Sequence, residues 1–179
     1  MAGKRWAAFL RGITPTNAKM SELVRAFEGA GFTDVSTVIS SGNVVFTVRS
    51  ASVAALQRKA EKAMEEELGR TFLTIARPIA DLRALLESDP YAPFRLKAGA
   101  KRVVTFLRAP CEQNLALPWE KDDARILRVT DTEVLSAYVP NPAIGGLFMK
   151  VLEEAYGKDQ TTRTWDTVAK VVKRGESGG

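Results

Sequence analysis

The sequence predicts an α+β protein built from two α-β plait units. Three observations carry this. The periodic segments of residues 4–77 follow the order strand, helix, strand, strand, helix, strand. The octapeptide KRWAAFLR at 4–11 returns as KRVVTFLR at 101–108, with five of eight positions matching. The chain is 45% apolar and 26% charged, the balance of a soluble globular protein. At 179 residues, burial of roughly 70% of the unfolded surface is within reach.

The elements follow in order. Trp6 to Leu10 is a short apolar run with charges on both sides, read as a strand over 5–11. A polar loop, Gly12 to Lys19, leads into helical spacing at Met20, Leu23, Phe27 and Ala30, with Gly31 as the stop. Val35–Ser40 and Val44–Val48 are β-rich runs joined by Ser41-Gly42-Asn43, with Gly42 and Asn43 expected to supply positive φ in a tight turn. Ser52 caps a helix with Val53, Leu56, Ala60, Ala63 and Met64 on its apolar face, ended by Gly69. Phe72 to Ala76 is a further strand, and Pro78 opens a short helix with Ile79, Leu82 and Leu86 on one side. The order β-α-β-β-α-β is the ferredoxin-like, split βαβ arrangement.

The second half restarts at Lys101. The matching Lys-Arg start and Phe-Leu-Arg end exceed what a generic strand template requires, so the restart reads as an internal duplication. Cys111 to Leu117 is a short, poor helix. Arg125–Val129 and Val134–Val139 form a hairpin, and Leu147, Val151, Leu152 and Ala155 line a helix. No closing strand is evident, and 165–174 reads as helix. The expected organisation is a first ferredoxin-like unit with its short helix over 1–88, a linker over 89–100, a second, irregular unit with its C-terminal helix over 101–174, and a disordered tail over 175–179.

Composition removes several chemistries. With no histidine there is no Ser-His-Asp or Cys-His unit and no imidazole base or ligand. The single cysteine, Cys111, makes no intrachain disulfide, which fits a reducing cytoplasm. No segment approaches the ~18 apolar residues of a membrane span. Walker and dinucleotide fingerprints are missing, as is the G-x-S-x-G elbow. Glu65-Glu66-Glu67 and Asp122-Asp123 read as solvated faces rather than metal sites. The +5 net charge is spread evenly, with 12 basic and 10 acidic residues in 1–90 and 14 and 11 in 91–179.

Three segments, FLRGI at 9–13, SGNVVF at 41–46 and TTRTWDTV at 161–168, together resemble the bacterial family known as domain of unknown function 1697, over about residues 4–173. The resemblance implies a small cytosolic protein of two α-β plait units and no established activity. Two departures stand out. Thr14-Pro15-Thr16 follows Ile13 where the family commonly has Asn-Val-Gly-Gly, and Thr164 and Asp166 replace two asparagines of the third motif.

Topology suggests where a site lies. In a ferredoxin-like unit the third strand sits between the first and second, so the loop 12–19 and the turn 41–43 are expected on one rim. Arg11 and Lys19 bring positive charge there. Thr14, Thr16, Asn17, Ser41 and Asn43 bring hydrogen-bonding groups, and the loop runs into a helix N-terminus. Thr162 and Arg163 are added because the three motifs stand together in the family.

These residues point to a binding module for a small anionic ligand, a nucleotide or phosphorylated metabolite, with no cofactor and no metal. The alternatives are an enzyme acting on such an anion, with Arg11, Lys19 and Arg163 as charge stabilisers, an RNA-binding domain, or an interaction module. No catalytic constellation supports the enzyme. Nucleic acid is disfavoured because SGNVVFTV carries one aromatic, Phe46, where base-stacking sheets carry more. Neither oligomeric state nor ligand identity is legible in the sequence.

Overall fold

The computed structural model describes residues 2–112, 115–142 and 144–178. Its elements are β1 (Lys4–Leu10), α1 (Met20–Gly29), β2 (Thr33–Thr37), β3 (Asn43–Val48), α2 (Val53–Leu68), β4 (Thr74–Pro78), α3 (Ile79–Glu87), β5 (Lys101–Leu107), β6 (Trp119–Lys121), β7 (Ala124–Val129), β8 (Glu133–Tyr138), α4 (Ile144–Tyr156), β9 (Gln160–Thr164) and α5 (Trp165–Ser177). They form a mixed α/β protein with two antiparallel sheets and five helices, in the α+β class. Two compact units result: residues 2–87 with 167–178, and residues 88–166. The sequence reading kept the C-terminal helix with the second unit, whereas α5 from Thr167 onward groups with the first. Residues 175–177, expected as tail, are the last turn of that helix.

In the first unit the strand order is β2-β3-β1-β4. Trp6 stands opposite Phe46 and Pro78, and Ala8 opposite Val44 and Ala76. Period-2 alternation therefore sends Trp6, Ala8, Leu10, Val44, Phe46 and Ala76 to one face, beneath Leu23 and Phe27 of α1 and Leu56, Ala60 and Met64 of α2. The rings of Phe27, Phe32 and Phe46 meet at centroid distances of 4.6–5.9 Å, a spacing typical of favourable aromatic pairs.

Helix ends are specified locally. Gly31 (φ 87°) and Gly69 (φ 70°) stop α1 and α2 in the left-handed region. The Ser52 hydroxyl accepts from Ala55 N at 3.2 Å at the start of α2. One polar side chain was not anticipated. Gln57, buried in α2, accepts from Ala76 N at 3.0 Å, closing a backbone donor of edge strand β4.

The hairpin differs from the sequence reading in length and in backbone. β2 ends at Thr37, and Val38–Gly42 form a five-residue connection with Val38 N bonded to Asn43 O at 2.9 Å. Gly42 has φ 84°, as expected, but the second positive-φ residue is Ile39 (57°), not Asn43. Asn43 already belongs to β3, paired with Phe9, and that ladder holds it in extended backbone.

The second unit has strand order β6-β7-β8-β5-β9. Val103, Leu107, Ile126 and Val134 are covered by Phe148, Leu152 and Tyr156 of α4, with Leu115, Leu117 and Trp119 packed alongside. The helix expected over 111–117 falls partly outside the described residues. Cys111, Glu112 and 115–117 are not helical, and short strand β6 follows. The closing strand, absent from the sequence reading, is β9. Its sheet-core side chains are polar and paired rather than apolar. Gln160 Nε2 donates to Leu152 O at 3.0 Å, and the Thr162 hydroxyl bonds that of Thr105 at 2.8 Å. Residues 88–100 are less of a linker than expected. Tyr91 is buried there and stands edge-on to Trp165, and Lys97 pairs with Asp123 at 2.8 Å.

Tyr91 donates its hydroxyl to Val103 O at 2.6 Å, and burial pushes its pKa far above the ordinary value of 10. The unfolded chain loses this proton near pH ~10 while the native chain keeps it. The stability so contributed is complete below that pH and is lost as pH rises beyond it. Phenolate absorbance, read as the difference between wild type and Tyr91→Phe, should show Tyr91 silent in native protein at pH about 11 and ionised once unfolded. The urea midpoint should fall less steeply above pH about 10 in Tyr91→Phe than in wild type.

Candidate functional site: the rim of the first sheet

The end of β1 and the start of β3 meet as topology requires. Leu10 N donates to Gly42 O at 2.8 Å, and Arg11 N donates to Leu73 O at 3.0 Å. Gly42 is pinned by a contact as well as by its φ. A Cβ there would lie 2.8 Å from Ile13 Cγ1 and 3.1 Å from Leu10 O. The loop after β1 is thus stapled to the β2–β3 connection through Ile13 on Gly42. In the first unit, FLRGI and SGNVVF are the two halves of one junction.

Most of the hydrogen-bonding groups expected to face a ligand hold this junction in shape. Asn17 Oδ1 accepts from Thr14 N at 2.8 Å and Asn17 Nδ2 donates to Gly12 O at 2.8 Å. Asn43 is fully buried, and its Nδ2 donates to Val38 O at 3.0 Å and to the Ser41 hydroxyl at 3.1 Å. These are Asx-type loop closures. Arg11 is half-buried at the start of the loop, and Lys19 is exposed at the N-cap of α1.

The start of α1 is answered from within. Glu22 Oε2 accepts from Lys19 N at 3.0 Å, and Glu22 N donates to Lys19 O at 3.1 Å. Beside it runs an open groove lined by Thr16, Asn17, Lys19, Glu22, Glu67 and Arg70, among others. Glu67 is engaged by Arg25 at 2.8 Å, a hydrogen bond that raises the Arg25 pKa. Lys19 and Arg70 are both exposed on this groove. Arg70 was missed in the sequence because it follows the α2 stop in a stretch without a motif. Glu22, three residues after Lys19, carried a legible capping signal.

Thr162 and Arg163 belong to the second unit and lie on β9. The Thr162 hydroxyl is engaged by Thr105, and Arg163 Nη1 donates to Thr161 Oγ1 at 2.6 Å and to Thr162 O at 2.9 Å. Burial lowers the guanidinium pKa to about 10, which leaves it charged near neutrality. The structure thus gathers Arg11, Asn17, Lys19, Ser41 and Asn43 about one junction of the first unit and gives Thr162 and Arg163 partners within the second. Cys111 is exposed, with its thiol pushed up by desolvation, the opposite of an activated cysteine. Among the described residues, no three acidic or cysteine side chains gather as a metal site, and no helix is long and apolar enough to cross a membrane.

Residues 4–134 match the family described as Protein of unknown function (DUF1697). The chain belongs to that family. The match takes in both halves of the rim junction and stops short of the third motif. No curated protein matches the chain. Among solved structures it is similar to the conserved bacterial protein SP0830 from Streptococcus pneumoniae, with 20% identity and a TM-score of 0.72, over 98% of this chain and 100% of that one. At that identity the likeness shows the fold.

The junction makes a sharp demand on position 42 in this family member. Gly42→Ala forces an L side chain into positive φ against Ile13, and should cost about 1–3 kcal/mol in urea denaturation. Ile13→Ala in the same chain should restore part of that loss, so the double variant costs less than the two singles added.

Proposed function

We propose that the chain is a cytoplasmic binding module for a small anionic ligand, a nucleotide or phosphorylated metabolite, held at the rim of the first sheet. The observation that carries this is the charge arrangement of the groove. Lys19 and Arg70 are exposed on it beside the Thr16 hydroxyl, while its two acids are engaged, Glu22 by Lys19 N and Glu67 by Arg25. Two cations beside occupied carboxylates favour an anion. In this reading Lys19 and Arg70 supply the charge, and Arg11 borders the loop. Asn17, Ser41 and Asn43 keep its shape.

We further infer that the two units descend from one ferredoxin-like plait by duplication, the second having lost its first helix. The order β7-β8-β5-β9 repeats β2-β3-β1-β4. β1 and β5 bury their residues in the same pattern. Equivalent residues make equivalent bonds: Leu10 N to Gly42 O and Leu107 N to Thr132 O, Arg11 N to Leu73 O and Arg108 N to Asp159 O. The chemistry has diverged on this shared frame. Phe9 pairs with Asn43 in one unit, and Phe106 pairs with Glu133 in the other. A carboxylate in place of an amide repels an anion, so the anion reading is confined to the first unit.

Thermal shift with inorganic phosphate and a panel of nucleoside mono-, di- and triphosphates tests the proposal. Ligand at about 100 Kd adds about 2.7 kcal/mol of stability, so a saturating anion should raise Tm by several degrees. Lys19→Ala and Arg70→Ala should each abolish the rise without lowering the unliganded Tm. No shift with any of these anions at millimolar concentration overturns it.

A further inference from the structure

The stretch of α5 that groups with the first unit divides into an apolar part and a polar part. Val168, Val171 and Val172 are buried, an apolar anchor. Beyond them the contacts turn polar. Arg5 Nε donates to Gly175 O at 2.9 Å, while Arg5 Nη1 donates to Asp34 O at 2.9 Å and to Thr47 Oγ1 at 3.0 Å. Arg174 Nε donates to the Ser36 hydroxyl at 3.2 Å, and Arg83 pairs with Glu176 at 3.2 Å. Gly175 itself is buried against Ile79, with no room for a Cβ. The cleft alongside is lined by Lys4, Arg5, Ile79, Arg83, Gly175 and Glu176.

We propose that the last turn of α5 is a clasp, closed on Arg5 and Arg83 by the Gly175 carbonyl and the Glu176 carboxylate, which opens separately from the anchored stretch Val168–Val172.

Three features make this end the weaker one. Surface ion pairs such as Arg83–Glu176 hold little. Glycine lowers helix propensity within the turn that must stay closed. Partial burial depresses the Arg5 pKa despite the pull of Asp34, and the Arg174 guanidinium adds a repulsion of its own. Segments with few apolar contacts and water-accessible hydrogen bonds open at low free energy, without global unfolding. An open clasp frees the partly buried Arg5 guanidinium beside Lys4 and Arg83, which are exposed in the closed state as well, so the device adds one cation to a cleft distinct from the rim groove.

Amide hydrogen exchange on the full chain tests the clasp. Arg5→Ala should speed exchange of the amides of residues 174–177 at least tenfold, with those of β1, β3 and residues 168–172 unchanged. Gly175→Ala, which wedges the turn off Ile79, should give the same local signature. If Arg5→Ala does not fold cooperatively, Arg83→Gln is read in its place by the same criterion of place. Exchange that rises equally across α5 and the sheet, or does not rise in residues 174–177, overturns the proposal.

Discussion

The hydrogen bond from Leu10 N to Gly42 O, with Ile13 lying on Gly42, is the contact on which the rim depends. It joins two segments some thirty residues apart at the end of the sheet. It fixes where the β1–α1 loop leaves the sheet and so where α1 begins. It requires a residue without a side chain at 42, both for the backbone angle and for the approach of Ile13. Once that junction is set, Asn17 and Asn43 close the two loops on themselves. Lys19 remains at the mouth of α1 beside Arg70.

The same bond recurs in the second unit between Leu107 N and Thr132 O, and there it serves a different chemistry. Its turn carries Glu133, whose Oε2 accepts from the Thr130 and Thr132 hydroxyls at 2.7 and 3.0 Å. Backbone hydrogen bonds are indifferent to side-chain identity, so two sheets of like strand order can share a junction while their rims differ in sign. In our reading, the first unit keeps cations near its rim and the second a carboxylate. The fold alone does not determine what either rim takes.

How far the sequence reveals this varies with the kind of signal. The spacing of Met20, Leu23 and Phe27 placed α1, and Gly31 and Gly69 marked the two helix stops, because left-handed caps leave a residue-level trace. The closing strand β9 left none. The Gln160 amide nitrogen and the Thr162 hydroxyl make hydrogen bonds on the buried face, so the apolar alternation that announces a strand never appears. The strained angle at Ile39 was equally hidden, since a β-branched residue is the last type expected there. Topology is what puts Arg11, Lys19, Ser41 and Asn43 on one rim in the sequence reading. That Asn17 and Asn43 are spent on their own loops was not legible, because an asparagine that binds a ligand and one that closes a turn are written alike. Arg70 and the Arg5 contact with Gly175 depend on tertiary approach alone.

The junction can be observed bond by bond in solution. Through-hydrogen-bond scalar couplings in isotopically labelled protein should correlate the Leu10 amide nitrogen with the Gly42 carbonyl carbon, and the Leu107 amide nitrogen with that of Thr132. Both amides should also rank among the slowest to exchange in their units. A Leu10 amide that shows no coupling to Gly42 and exchanges like an exposed turn would contradict the account, and the rim groove would lose the frame that holds it.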